Sequence, residues 1–148
     1  MNIRGWAMAS LLLCAVLLLA ITQSGPAASA DEKYVPQLGD IMNAAQTRHI
    51  KLWYAGKGAN WELASFELAR LKTNLVDAAL LYSGIPVTNV TTLAAPLQSV
   101  SDAIEARDNR RFAKAYGDLS GGCNACHQTM ERSFIVIRIQ RTVLLAFG

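Results

Sequence analysis

The sequence lacks a strong charge excess, internal repeats and low-complexity stretches. Its 148 residues carry 14 Lys and Arg against 11 Asp and Glu, and the resulting net charge of +3 at pH 7 is scattered along the chain. So small an excess gives no reason to expect nucleic acid or a membrane surface as a partner. No nucleophile–base pair and no paired-carboxylate site stands out. The sequence therefore does not predict an enzyme.

The one long hydrophobic run is too short to cross a membrane. It extends from Ala7 to Ile21, about 15 residues, whereas a transmembrane helix needs roughly 20. Arg4 precedes the run, and the small residues Ala28-Ser29-Ala30 follow it at a position suited to cleavage. Residues 1–30 are therefore predicted to be a secretory signal peptide that is cut before Asp31. The mature chain is expected to have no membrane anchor.

Cysteine is also scarce. Cys14 lies in the middle of the apolar run, where a lipoprotein cysteine is not expected, and is interpreted as part of the signal. The mature residues 31–148 amount to one domain and keep only Cys123 and Cys126, both in one short motif. In an exported protein these two cysteines are the informative feature.

Four amphipathic segments follow, separated by residues that favour turns. The first runs from about Pro36 to Tyr54 with apolar residues at helical spacing. It is expected to end at Gly56-Lys57-Gly58, because glycine tolerates the left-handed conformation that stops helices. The second is predicted to begin after an N-cap at Asn60 and to end near Tyr82.

A polar connector is predicted through Thr92, followed by two further helices. Pro96 suits the first turn of the third, and Asp108 suits the N-cap of a fourth that continues into the cysteine motif. Helices of this length joined by short loops predict an all-α fold, an antiparallel four-helix bundle. Four aromatic residues at helical spacing are interpreted mainly as core and otherwise as neighbours of a cofactor: Trp53, Trp61, Phe112 and Tyr116.

Two features near the motif each allow two interpretations. The alternation of Ile135, Ile137 and Ile139 in the C-terminal tail fits either a frayed helix or an extended strand. Gly121-Gly122 would either let a flat macrocycle approach the backbone or kink the helix. Both questions stay open on the sequence alone.

Cys123-Asn124-Ala125-Cys126-His127 matches Cys-x-x-Cys-His, the attachment signature of c-type haem. Helical positions i, i+3 and i+4 share one face, so two thiols and an imidazole point to the same side. The thiols can then each add to one haem vinyl group while His127 binds the iron. The second ring nitrogen of His127 is expected to find a hydrogen-bond acceptor. The motif predicts one covalent haem c.

Two other interpretations of the motif are weaker. A zinc site needs four ligands, and the mature chain offers only Cys123, Cys126, His127 and His49, of which an adjacent Cys-His pair is awkward for a tetrahedron. A thioredoxin-like Cys-x-x-Cys expects a βαβ context, which this sequence lacks.

With its signal peptide, four amphipathic helices and a haem motif on the last helix, the sequence resembles cytochrome c′ and its low-spin relatives. The resemblance covers most of residues 36–134, and the motif with Asp108, Phe112 and Tyr116 upstream carries it. Residues 48–53 and Asn60-Trp61 look like a related group of periplasmic bacterial proteins without an assigned partner. The resemblance implies a periplasmic monohaem bundle, and a homodimer formed through its first two helices.

The resemblance makes Met42 the candidate for the sixth iron ligand, because it lies on the first helix, where this family places its distal residue. Core packing is the alternative for Met42. Met130 follows His127 by three residues and is expected to pack in the core. His49 is a weaker candidate ligand and is expected rather to bond the backbone or a haem propionate. Propionates are also an alternative to plain solvation for Arg48 and Lys51.

The nature of the sixth ligand separates three functions. Ligation by His127 and Met42 gives a low-spin iron suited to carrying single electrons between redox proteins that the sequence does not identify. An open position would bind small gases such as NO or CO, and a peroxidase-like scavenger would need the same opening. Gas-binding relatives usually carry a basic residue four positions after the haem histidine, where this chain has Glu131, with Arg132 next. The departure favours the electron carrier.

Overall fold

A computed structural model describes residues 34–139 of the protein. The predicted signal peptide, residues 1–30 with Cys14, lies outside the described residues, as does the end of the tail, residues 140–148. In residues 34–139, no helix combines the length and the apolar character that a membrane span requires.

The described part of the chain contains four long helices, one short helix and no strand, so the predicted all-α fold is confirmed for these residues. The antiparallel order of the bundle stays a prediction. The helices, in chain order, are α1 Leu38–Lys57, α2 Trp61–Leu81, α3 Val87–Thr91, α4 Ala94–Glu105 and α5 Asn109–Thr129.

Both predicted N-caps are present. The side chain of Asn60 accepts a hydrogen bond from the backbone N–H of Leu63 at the start of α2. One carboxylate oxygen of Asp108 accepts from the backbone N–H groups of Arg110 and Arg111 at 2.9 and 3.0 Å. These bonds satisfy N–H groups that have no partner within the helix, which is why α2 and α5 begin where the sequence predicts.

The end of α1 differs from the expectation in its mechanism. No glycine in residues 34–139 has a positive φ; Ala59 adopts the left-handed conformation instead, with φ 54°. Gly56 is needed for another reason, because a Cβ there would meet the ring of Phe112. The glycine is therefore a point of close packing between α1 and α5.

The connector after α2 was expected to be polar loop and is partly helical. Residues Val87–Thr91 form α3, one short turn of helix that begins after Pro86. Proline is compatible with a helix start, since its missing N–H would have no partner there. The helix makes no buried contribution to the core. Pro96 lies in the first turn of α4, as predicted.

The four long helices share one hydrophobic core. Helix α1 packs on α2 and α5, and α4 packs on α2 and α5. Phe112 and Tyr116 of α5 are fully buried at the centre, and half-buried Trp53 and Trp61 pack against them. A buried aromatic side chain removes about 200 Å² from water, worth about 5 kcal/mol at ~25 cal/mol per Å². The interpretation of these aromatic residues as core is confirmed.

The described part of the C-terminal tail is neither of the two structures that the sequence allowed, a frayed helix or an extended strand. Residues 133–139 form neither helix nor strand and follow α5 in irregular conformation. The side chain of Ile139 reaches Gly117, where its Cδ1 would lie 3.8 Å from an added Cβ. The carbonyl and N–H groups of the tail bond to side chains of the cysteine motif, as described below.

Candidate functional site

A large apolar cavity, partly open to solvent, lies beside the cysteine motif. Its volume is about 430 Å³, within the range of roughly 300–1,000 Å³ usual for cofactor and ligand sites. Residues of α1, α2, α3 and α5 and of the tail line it. An apolar, partly open cavity of this kind can hold a flat hydrophobic cofactor and keep water away from it.

All four residues that the sequence singled out for a haem line this cavity. Cys123, Cys126 and His127 enter from α5, and Met42 enters from α1. Met42 is half-buried and is not a member of the hydrophobic core. The fold thus brings a thioether from the start of the domain to the same space as the two thiols and the imidazole.

The imidazole of His127 is held through one ring nitrogen. Its Nδ1 lies 2.9 Å from the backbone carbonyl oxygen of Ile135. A carbonyl oxygen can only accept, so Nδ1 is the donor in this bond, and in a neutral imidazole Nε2 is then the nitrogen with the lone pair. Histidines that bind metals commonly donate their second N–H to a carbonyl or carboxylate in this way.

Cys123 and Cys126 are free thiols, and both are half-buried. Burial raises the pKa of Cys123 to about 11, with the nearby Cys126 as a second cause. Burial also raises the pKa of Cys126, and a hydrogen bond from the side chain of Asn89 offsets only part of this increase. Both thiols are therefore neutral at pH 7. Redox-active Cys-x-x-Cys pairs have lowered thiol pKa values, so the structure does not favour that interpretation.

Met130 was expected in the core, and the structure corrects this. It caps the C-terminus of α5 and lines the cavity together with His127. Because it follows His127 by three residues on one helix face, helical geometry keeps the two side chains together. Met130 is thus a second thioether at the site, and it belongs to the same element as the motif.

His49 also reaches the cavity, but both of its ring nitrogens have partners. Nδ1 lies 2.7 Å from the hydroxyl of Tyr116, and Nε2 lies 3.0 Å from the hydroxyl of Ser120. The residue is 3% exposed, and burial lowers its pKa to about 4. Ligation of iron by His49 would require one of these buried bonds to break, which counts against bis-histidine ligation. The partners of the imidazole are side chains of α5 rather than backbone groups.

The basic residue at the cavity is Arg132, whereas the sequence suggested Arg48 and Lys51 as partners of the propionates. Arg48 pairs with the buried carboxylate of Glu67 at 3.2 Å, and neither Arg48 nor Lys51 lines the cavity. Arg132 does line it. The chain reverses at Glu131, which has φ 57°, and this turn carries Arg132 back over the motif. The sequence does not predict this turn, because a helix that ends in the left-handed conformation usually has glycine at that position.

The two glycines before the motif lie inside α5 and do not line the cavity. A Cβ at Gly121 would meet nothing within 4 Å, whereas one at Gly122 would meet Cδ2 of Leu93. Gly122 therefore lets the start of α4 pack closely on α5.

In residues 34–139, no group of three or more His, Cys, Asp or Glu side chains is arranged to hold a metal ion. A haem iron takes its equatorial ligands from the porphyrin and needs only axial ligands from the protein. Comparisons with family models, with curated proteins and with solved structures found no match for this chain. The resemblance to cytochrome c′ therefore depends on the sequence alone, mainly on the motif at its position in the last helix, with Asp108, Phe112 and Tyr116 upstream.

Proposed function

We propose that this chain is a periplasmic monohaem c-type cytochrome, an antiparallel four-helix bundle that carries single electrons. The observation that carries the proposal is the meeting of Met42 with Cys123, Cys126 and His127 at one apolar cavity. Thioether, thiol and imidazole side chains suit a covalent haem with two axial protein ligands.

The residues present fit this cofactor. Cys123 and Cys126 would hold it by thioether bonds, His127 would bind the iron through Nε2, and Met42 would supply the sixth ligand. When bound, haem supplies a one-electron couple between ferric and ferrous iron. The hydrogen bond from Nδ1 of His127 to the carbonyl of Ile135 supports this role, because it leaves Nε2 available for the iron.

The remaining residues of the cavity set the environment of that couple. The apolar lining excludes water from the cofactor face, and a thioether ligand such as Met42 raises the redox potential. Arg132 is the guanidinium at the cavity and is suited to pair with a propionate carboxylate. We expect a low-spin, high-potential carrier rather than a catalyst.

The experiment is spectroscopy of the mature protein made in a host with haem-attachment machinery. We expect a mass above that of the bare polypeptide by one haem, sharp split ferrous bands, and no change on adding CO. Met42→Ala should convert the spectrum to a high-spin form that shifts with CO. Met130→Ala is the matched control, because it removes the other thioether of the cavity and should leave the low-spin spectrum intact.

One observation favours a second function, the binding of a small gas. Arg132 lines the cavity although the position four residues after His127 holds Glu131, so the basic side chain associated with gas-binding relatives is present one position later. The same CO titration decides between the two functions. A wild-type spectrum that is high-spin and shifts with CO would favour the gas-binding protein, and the electron carrier would then be wrong.

Export and pairing follow from the sequence and have their own tests. Mature protein recovered from the periplasm should begin at Asp31. The homodimer implied by the resemblance should elute at twice the mass of the mature chain. Neither result depends on the identity of the sixth ligand.

A further inference from the structure

The tail is attached to α5 by a residue inside the cysteine motif. The side-chain oxygen Oδ1 of Asn124 accepts a hydrogen bond from the backbone N–H of Ile137 at 2.7 Å. Its Nδ2 donates to the carbonyl oxygen of the same residue at 3.0 Å. One amide side chain thereby satisfies both backbone groups of Ile137, as a neighbouring strand would.

The same tail supplies the carbonyl that holds His127. Ile135 lies two residues before Ile137, and its carbonyl oxygen accepts from Nδ1 of His127 at 2.9 Å. Asn124 lies one helical turn before His127 on α5. The two contacts therefore join the same short stretch of tail to successive turns of the motif helix.

Apolar packing is weak beside Ile135, whereas Ile137 and Ile139 further along the tail are half-buried and Ile139 packs against the core. The side chain of Ile135 is 43% exposed, and Phe134 and Val136 beside it are more exposed still. The backbone N–H of Ile135 bonds to the carbonyl of Arg132, which closes a local turn but does not reach α5. The two bonds to Asn124 join the tail to α5 two residues after Ile135, so they directly restrain where the Ile135 carbonyl lies.

We propose that Asn124 is a positioning residue for the axial histidine. It fixes Ile137 and so holds the carbonyl of Ile135 against His127, which sets the orientation and the basicity of the imidazole. This inference rests on the proposed function, because basicity at Nε2 matters only when a metal is bound. The Cys-x-x-Cys-His motif does not specify the two residues between its cysteines. In this chain the first of them is Asn124, which holds the tail.

The hydrogen bond from His127 to the Ile135 carbonyl determines in which direction the midpoint potential should change. A carbonyl that accepts from Nδ1 increases electron density at Nε2, and a more basic ligand favours the higher oxidation state of a metal. Loss of the bond should therefore raise the midpoint potential. The amide of Asn124 carries its donor and its acceptor on separate atoms, whereas an Asp carboxylate only accepts. Asn124→Asp keeps the acceptor for the Ile137 N–H and loses the donor, so its His127 ring N–H exchange rate should lie between those of wild type and Asn124→Ala.

The test compares Asn124→Ala with Gln128→Ala in the haem-loaded mature protein. Gln128 is exposed on the same helix and does not line the cavity. Two quantities are measured: the midpoint potential, and the exchange rate of the His127 ring N–H by NMR of the ferrous form. We expect Asn124→Ala to raise the potential and to speed ring N–H exchange at least tenfold. Gln128→Ala should change neither.

A reciprocal variant keeps the test decisive if Asn124→Ala does not fold. Ile137→Pro removes the backbone N–H that donates to Oδ1 of Asn124. It should shift both quantities in the same direction, and in the double variant the two shifts should not add, since both changes break one contact. A coloured wild type whose potential and ring N–H exchange are unaffected by Asn124→Ala would overturn this inference alone. A colourless wild type would contradict the proposed function.

Discussion

The hydroxyl of Tyr116 lies 2.7 Å from Nδ1 of His49 and 2.9 Å from the carbonyl oxygen of the same residue. The two rings also pack together, with centroids 4.4 Å apart. Ser120 holds the other ring nitrogen of His49 and bonds back to the carbonyl of Tyr116. This buried network ties α1 to the face of α5 that leads into the cysteine motif, and it has direct consequences for stability.

We predict that Tyr116→Phe lowers the free energy of unfolding by about 1–3 kcal/mol, because it leaves the buried Nδ1 of His49 without its partner. The ring still fills its place in the core, so the loss isolates the hydroxyl. Urea unfolding followed by circular dichroism measures it. Tyr34→Phe serves as the control, since Tyr34 is 78% exposed. Equal stability of Tyr116→Phe and the control would contradict the network.

His49 should make stability depend on pH. Burial lowers its pKa from 6.5 to about 4 in the fold, so between these values the unfolded chain binds more protons than the folded one. Stability then rises with pH across this window and is lost on acidification. The loss from pH 7 to pH 4 is about 3 kcal/mol at most, at about 1.4 kcal/mol per pKa unit.

The comparison that isolates this effect is His49→Gln, which keeps a polar side chain and removes the titration. Urea unfolding of both proteins at pH 7 and pH 4 should show a smaller loss for the variant. If wild type and variant lose stability equally over that range, His49 is not buried as a neutral imidazole.

The contact of Gly56 with Phe112 gives a prediction about packing. Gly56→Ala places a methyl group against the Phe112 ring and should destabilise the protein by about 1–3 kcal/mol, although alanine is the better helix former. Gly39→Ala is the matched control in α1, because nothing lies within 4 Å of its added Cβ. The control should be neutral or stabilising in thermal unfolding. The opposite ranking of the two variants would exclude close packing at Gly56.

The cap at Asp108 gives a fourth prediction. Asp108→Ala removes the acceptor for two backbone N–H groups at the start of α5 and should cost about 1 kcal/mol. Asp108→Asn keeps an acceptor oxygen and should retain most of the stability. Chemical unfolding at pH 7 separates the two. A variant with alanine that matches wild type would mean that the cap does not support α5.

Much of the site followed from the sequence because its signals are local. The Cys-x-x-Cys-His spacing fixes three groups on one helix face, and caps such as Asn60 and Asp108 act on N–H groups two or three residues away. The placement of Met42 in the cavity came from resemblance, and the fold agrees with it at that level. Iron ligation by Met42 stays a prediction.

Some of the features that sequence reasoning missed are local, and others depend on contacts between residues far apart in the chain. Met130 was expected in the core, and Arg132 was not assigned to the cavity, because the turn at Glu131 uses a left-handed residue that is not glycine. The partners of His49 come from α5, 67 and 71 residues away. The alternation of isoleucines in the tail was visible, but only the bonds to Asn124 explain where the tail runs.

Helix α5 presents Tyr116, Ser120, Cys123 and His127 at intervals of four, three and four residues, so one stripe serves both the core and the cavity. The turn that carries Cys123 and His127 is therefore continuous with the most deeply buried part of residues 34–139. For a cofactor held there, the packed core on this side would shift little between oxidation states. We expect a small reorganisation energy and rapid electron exchange as the result.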